Sequence, residues 1–125
     1  MRSVNDNSLV VAVRYAGRTL LFTGDVELEG EELLVDHGLG RVDVVKVAHH
    51  GSPTSSAAAL VEATRPALAV ISCGRNNLFG FPSPAVVARW RAAGAEVART
   101  DIEGTIALTI DTGGSITVER FGPVP

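Results

Sequence analysis

The chain has 125 residues, 46% hydrophobic and 20% charged, a balance too apolar for a disordered segment and a length suited to one globular domain. Eleven Lys and Arg against fourteen Asp and Glu give a net charge of −3, which excludes nucleic-acid binding by a basic field alone. Cys73 is the single cysteine, so an internal disulfide and a multi-cysteine zinc or iron–sulfur centre are excluded, and no apolar run reaches the ~18 residues of a membrane span.

Residues 8–15 and 18–22, on either side of Ala16-Gly17, are rich in strand formers and predict a hairpin. Residues 26–36 set Val26, Leu33 and Leu34 among Glu27, Glu29, Glu31 and Glu32 ahead of Gly38, the pattern of a short acidic-faced helix with a glycine stop; Gly30 weakens its first turn. Residues 42–47 read as a buried strand running into Ala48-His49-His50-Gly51-Ser52-Pro53. Residues 56–63 form a helix ended by Arg65-Pro66, and residues 67–72 a second buried strand leading to Cys73-Gly74-Arg75-Asn76-Asn77. Ser83 as N-cap, Pro84 at the first helical position, Val86, Val87, Trp90 and Ala93 on one face, and Gly94 as stop describe a third helix. Residues 96–99 then read as a last parallel strand, and 105–110 with 115–121 as a closing hairpin. Buried strands alternating with helices predict an α/β fold, a mixed sheet with helices packed on it.

Ligands of open α/β sheets gather outside the carboxyl ends of the parallel strands. The loops leaving those ends carry Thr23-Gly24-Asp25, then His49-His50-Gly51-Ser52, then Ser72 with Asn76-Asn77, then Thr100-Asp101. A carboxylate and two imidazoles on one sheet edge are donors that zinc or manganese takes, and Asp25 suits a bridge between two ions ~3.5–4 Å apart that share a hydroxide. Each residue also has a plainer reading. Asp25 suits a helix N-cap, and one histidine of the pair suits a structural hydrogen bond while the other serves chemistry. Ser52, Thr54 and Ser55 suit either a substrate phosphate or helix capping, and Asn76 and Asn77 either the site or a turn. Asp101 suits the turn to Gly104. His37 reads as a helix-end residue favoured by the dipole, and Cys73 as a small buried side chain. No glycine-rich phosphate loop follows any strand, which disfavours an independent nucleotide-type binding domain.

Taken in order, Asn5-Asp6-Asn7-Ser8-Leu9-Val10, Leu21-Phe22-Thr23-Gly24-Asp25, Val45-Lys46-Val47-Ala48-His49-His50-Gly51-Ser52, Asn76-Asn77-Leu78-Phe79-Gly80 and Arg99-Thr100-Asp101 resemble the ComEC/Rec2 competence proteins. More narrowly, the chain is similar to the C-terminal half of their metallo-β-lactamase-like domain, from about Asn5 to Ile110. The resemblance implies that residues 1–125 are a single domain, half of an αββα sandwich. It also implies a centre of two divalent ions, Zn or Mn, and a nuclease role in DNA uptake that degrades the strand not entering the cell. Carried over by motif, Asp25 is the bridging ligand, His50 a ligand of the second metal, and His49 the residue facing the scissile phosphate or supporting the hydroxide. Ser52, Asn76 and Asn77 are the substrate-binding candidates.

Two departures accompany the resemblance. The family's upstream metal motif ending in Asp-His has no counterpart here, and Gly80-Phe81-Pro82 stands where relatives commonly read Gly-His-Pro. The expectation is the portion of a metal-dependent phosphodiester hydrolase that is incomplete by itself; the alternative is a catalytically inactive interaction or structural domain of a DNA-uptake channel protein. The expected partners are DNA as substrate in a longer parent protein, and either the remaining half of the domain or a second copy, over a sheet face lacking its partner layer. The chain alone is expected to be soluble, and the parent to be attached to the cell membrane on its outer face.

Overall fold

The computed structural model describes residues 3–123; the predicted strands and helices occur in the predicted order, with a further short helix at 100–103 where a loop and turn were expected. β1 (Val11–Tyr15) and β2 (Arg18–Phe22) pair antiparallel through Ala16 and Gly17, both at positive φ, as a two-residue hairpin turn requires. There follow α1 (Leu28–Asp36), β3 (Val44–Lys46), α2 (Ala58–Thr64), β4 (Leu68–Ile71), α3 (Pro84–Ala92), β5 (Glu96–Arg99) and α4 (Thr100–Glu103). The chain ends in the antiparallel pair β6 (Ile106–Ile110) and β7 (Ile116–Arg120). The main sheet runs β1-β2-β3-β4-β5, parallel from β2 onward, so the expected mixed α/β sheet is present.

Period-2 alternation sorts the strands' side chains onto two faces. Leu21, Val45, Ala69 and Val97 stand in register on one face and meet Leu60, Val61, Val86, Val87 and Trp90 of α2 and α3. Val44, Leu68 and Ala98 point the other way, against Ile106, Leu108, Ile116 and Val118 of the closing hairpin. The expectation of a wholly uncovered sheet face is corrected here: β6 and β7 fold back over the β3–β5 end. Val11, Val13, Tyr15 and Phe22, at the β1–β2 end, remain 39–49% exposed.

Buried carboxylates fix the helix starts. Asp25 is not the N-cap of α1; Glu27 holds that position without a side-chain cap bond. The orphan N–H groups go instead to Asp6, whose Oδ1 accepts from Glu27 N–H (2.7 Å) and Gly30 N–H (3.0 Å). Gly30 is what the packing permits there, since a Cβ would sit 2.6 Å from that oxygen. Glu31 repeats the device, accepting the N–H groups of Ser56 (2.6 Å) and Ala57 (2.8 Å) at the start of α2. Arg89 of α3 donates to the Ser56 carbonyl at 2.6 Å, so the three helices are tied in sequence. Ser83 occupies the N-cap of α3 but makes no side-chain cap bond. His37 donates from Nδ1 to the Leu33 carbonyl (2.7 Å), in keeping with its reading as a helix-end residue.

Candidate functional site

Because β2 to β5 are neighbours in chain order and parallel, their carboxyl ends share one edge, and hydrogen bonds stitch the loops there pairwise. Thr23 Oγ1 donates to the Lys46 carbonyl (2.7 Å) and His49 N–H to the Gly24 carbonyl (2.9 Å), joining the Asp25 loop to the histidine loop. His50 Nδ1 bonds the Ser72 carbonyl (2.6 Å), joining the histidine loop to the end of β4. Thr100 Oγ1 donates to the Cys73 carbonyl and accepts its N–H, both at 2.9 Å, joining β4 to β5. From the amino-terminal side, Ser8 Oγ accepts the Asp25 N–H at 3.1 Å while donating to the Asn5 carbonyl. The backbones of Asp25, His49 and His50 are therefore held along one rim.

His49, His50 and Gly51 are three consecutive residues at positive φ (52°, 54° and 81°). Two non-glycine residues in this region cost of order 1 kcal/mol each and persist only where their surroundings over-determine them. Gly51 supplies much of that constraint: a Cβ there would lie 2.5 Å from Pro82 Cβ, and its carbonyl accepts the Ser83 N–H at 2.9 Å. The turn aims the two imidazoles differently. A carbonyl can only accept, so the Ser72 contact puts the hydrogen of neutral His50 on Nδ1 and its lone pair on Nε2, the arrangement metal-binding histidines adopt. His50 also borders a cavity of about 290 Å³ with Cys73, Asn77 and Phe81.

His49 is half-buried with its Nδ1 3.6 Å from Glu27 Oε2 and its ring edge-on to Phe81, centroids 5.8 Å apart. Phe81 in turn stacks on Phe79. Glu27 accepts a 2.5 Å hydrogen bond from Thr54 Oγ1, and this bond first, with contributions from Ser3 and His49, holds its carboxyl below the usual range.

The remaining candidates make contacts within and between the loops. Ser52 is buried, its Oγ accepting the Thr54 N–H (3.2 Å) and sharing a hydrogen bond with Thr54 Oγ1 (2.8 Å). Asn77 makes three bonds, to the Gly74 carbonyl and to both backbone groups of Phe81, and closes the 74–81 loop; Asn76 occupies a left-handed turn position. Asp101 receives both Nε and Nη2 of Arg99. Burial, with Asp101 adding to it, pushes the Cys73 thiol up to about 11, the character of an inert packed cysteine. Lys46 lies on the hairpin side of the sheet, where burial lowers its ammonium against the opposing pull of Asp25.

The donor chemistry of Asp25 and His50 Nε2 suits zinc or manganese. Among the described residues, however, no three His, Cys, Asp or Glu side chains gather into a metal-holding group, and a closed zinc site takes four ligands. Sequence reasoning named Glu27, Asp6 and Ser8 but gave them no part in the site, because their roles arise only where separate loops meet. The signal for Asp6 and Ser8 was a run of polar side chains, Asn5 to Ser8, placed just before the first hairpin; Glu27 carried none beyond its place in an acidic helix.

The sequence profile of the Metallo-beta-lactamase superfamily matches residues 4–75, more than half of the chain. The chain belongs to the metallo-beta-lactamase superfamily. Members of this superfamily usually bind divalent metals. The chain is 38% identical over 117 residues to Competence protein ComA of Neisseria gonorrhoeae, covering 90% of this chain and 17% of that protein. It is 36% identical over 107 residues to Recombination protein 2 of Haemophilus influenzae, covering 86% and 14%. To ComE operon protein 3 of Bacillus subtilis it is 36% identical over 105 residues, covering 83% and 14%. This superfamily chain thus spans 14–17% of the length of these relatives. Among its described residues, no helix is long and apolar enough to cross a membrane.

Proposed function

We propose that this chain is the carboxyl-terminal portion of a metal-dependent phosphodiester hydrolase that processes DNA during uptake, and that it works within a longer protein supplying the other metal ligands. The observation that carries the reading is the rim itself. There the Ser72 carbonyl commits His50 Nδ1–H and leaves Nε2 free, while the neighbouring loop brings the Asp25 backbone alongside through the Gly24 to His49 bond. In this reading Asp25 would be the carboxylate shared by the two ions and His50 would hold the second. When bound, two Zn or Mn ions would supply a nucleophilic hydroxide and stabilise charge on the phosphoryl oxygens. Of the chain's own groups, His49 serves the reacting phosphate, Ser52 with Thr54 shapes the loop beneath it, and Asn76 and Asn77 set the loop that borders the substrate.

The same reading assigns a cover to Val11, Val13, Tyr15 and Phe22, the exposed apolar strip of the sheet: the remainder of the domain in the longer protein, which is held at the outer face of the cell membrane. A second copy of this chain is the competing cover, and light scattering on the purified chain distinguishes them. The deciding experiment compares metal content and nuclease activity of this chain with those of a longer chain extended upstream, in Mn²⁺ or Zn²⁺. Metal uptake and metal-dependent cleavage by the longer chain support the proposal; metal-independent cleavage, or no metal binding by either, refutes it.

The second reading, an inactive interaction or structural domain, is favoured by one feature: Phe81, stacked on Phe79 and edge-on to His49, fills the rim with a ring that can neither ligate a metal nor hydrogen-bond. Asp25→Ala and His50→Ala in the longer protein separate the two, since unchanged DNA processing belongs to the second reading.

A further inference from the structure

The geometry points to Glu27 as a positioning residue: its carboxylate, anchored by Thr54, fixes the imidazole of His49 through Nδ1. The two groups face each other at 3.6 Å; the catalytic consequence of the contact rests on the hydrolase reading above. His49 Nδ1 is buried without a hydrogen-bond partner among the described residues, and Glu27 Oε2 is 3.6 Å away. A buried ring nitrogen left without a partner is costly, and the carboxylate facing it can only accept, which favours the form with hydrogen on Nδ1 and a small closing movement toward Oε2. The carboxylate is in place to receive it. Oε2 already accepts from Thr54 Oγ1 at 2.5 Å, and Thr54 is itself held by Ser52 through both its N–H and its hydroxyl.

The ring has little freedom to choose otherwise. Its backbone N–H is bonded to Gly24, its φ is +52°, and Phe81 packs edge-on against it. With the hydrogen held on Nδ1, the lone pair of neutral His49 lies on Nε2. Both adjacent histidines then present the same nitrogen by different supports, His50 by the Ser72 carbonyl and His49 by a carboxylate. That arrangement gives Glu27, a residue of the helix start, a part in the site two residues after Asp25.

Long-range ¹H–¹⁵N NMR of the ring nitrogens in this chain reads the tautomer directly, without metal or activity. Wild type is expected to show His49 protonated on Nδ1. Glu27→Ala is expected to move His49 toward the Nε2–H form while leaving His50 unchanged, and Thr54→Val to move it in the same direction by less. Should Glu27→Ala fail to fold, Glu27→Gln, which keeps the shape and loses the charge, and Thr54→Val carry the test. In the longer, metal-loaded protein Glu27→Ala is expected to lower kcat about 10–100-fold with KM within about twofold. A wild-type His49 protonated on Nε2, or a folded Glu27→Ala with unchanged tautomer and kcat, overturns the proposal. Absence of hydrolysis in the wild-type longer protein, with the tautomer as expected, refutes the hydrolase reading and leaves the positioning contact standing.

Discussion

Replacing Asp6 by alanine removes the acceptor on which the start of α1 depends. Its Oδ1 receives Glu27 N–H at 2.7 Å and Gly30 N–H at 3.0 Å, and its Oδ2 receives the N–H and hydroxyl of Ser3, both at 3.2 Å. Alanine strands two donors at the helix start, one of them buried, at roughly 1–3 kcal/mol each, so a loss of about 3 kcal/mol and about 10 °C in Tm is expected. Asparagine keeps an oxygen for both α1 donors and gives up only the charge and the Ser3 side, at about 1 kcal/mol. Gly30→Ala provides an internal check. In wild type its methyl would lie 2.6 Å from Oδ1 and destabilise. Beside Asp6→Ala the space is open, and the better helix former should gain up to about 1 kcal/mol. Burial pushes the Asp6 carboxyl up, but the N–H donors of Glu27, Gly30 and Ser3 outweigh it and hold it below 3.8. Its contribution is therefore present above that pH and lost as pH falls through the lowered value, a loss the alanine variant lacks. Urea denaturation of the four variants measures all of this. A penalty under about 1 kcal/mol for Asp6→Ala, or the same sign for Gly30→Ala in both backgrounds, refutes the reasoning.

Gly51→Ala combines a φ of +81° with a Cβ 2.5 Å from Pro82 and is expected to cost at least ~2 kcal/mol in thermal or urea unfolding. Glu31, raised by burial from 4.5 to about 7 against the Ala57 and Ser56 N–H groups, binds its proton more tightly when folded. Stability should thus fall as pH rises from 4.5 to about 7 and then level off, a slope that denaturation of Glu31→Gln should lack. The Cys73 thiol, pushed up to about 11 from 9.0, should react with iodoacetamide at pH 8 about a hundredfold more slowly than an unperturbed thiol, and roughly tenfold faster for each pH unit up to 10; rapid alkylation at neutral pH contradicts this.

What could be read from sequence and what could not divide along the range of the interactions. Valine-rich runs, the Ala16-Gly17 turn and Pro84 with Trp90 are local signals, and with hydrophobic period they placed the strands and the helices α1 to α3 within a few residues; α4, a single turn with no apolar period, read as a loop and turn. Loop polarity at the strands' carboxyl ends likewise pointed to the rim carrying Asp25, His49 and His50. Asp6 and Glu31 act on N–H groups 21 to 26 residues away, so local capping rules credited Asp25 and Ser83 with work that distant carboxylates do or that no side chain does. The alternation in β6 and β7 shows that one of their faces is apolar without saying which layer it covers, which is why the hairpin's return over Val44, Leu68 and Ala98 was not foreseen. Ser52 and Asn77 carry the same polar atoms whether they face a substrate or a loop, so their hydrogen bonds within the loops are visible only in the structure.

Metal stoichiometry and nuclease rate of the longer protein, measured for wild type, Asp25→Ala and His50→Ala under the same Mn²⁺ load, test the central claim most directly. The account predicts two ions in wild type, loss of at least one in each variant, and a fall in cleavage of about a hundredfold or more. Full metal content and undiminished cleavage in folded Asp25→Ala and His50→Ala proteins would contradict it.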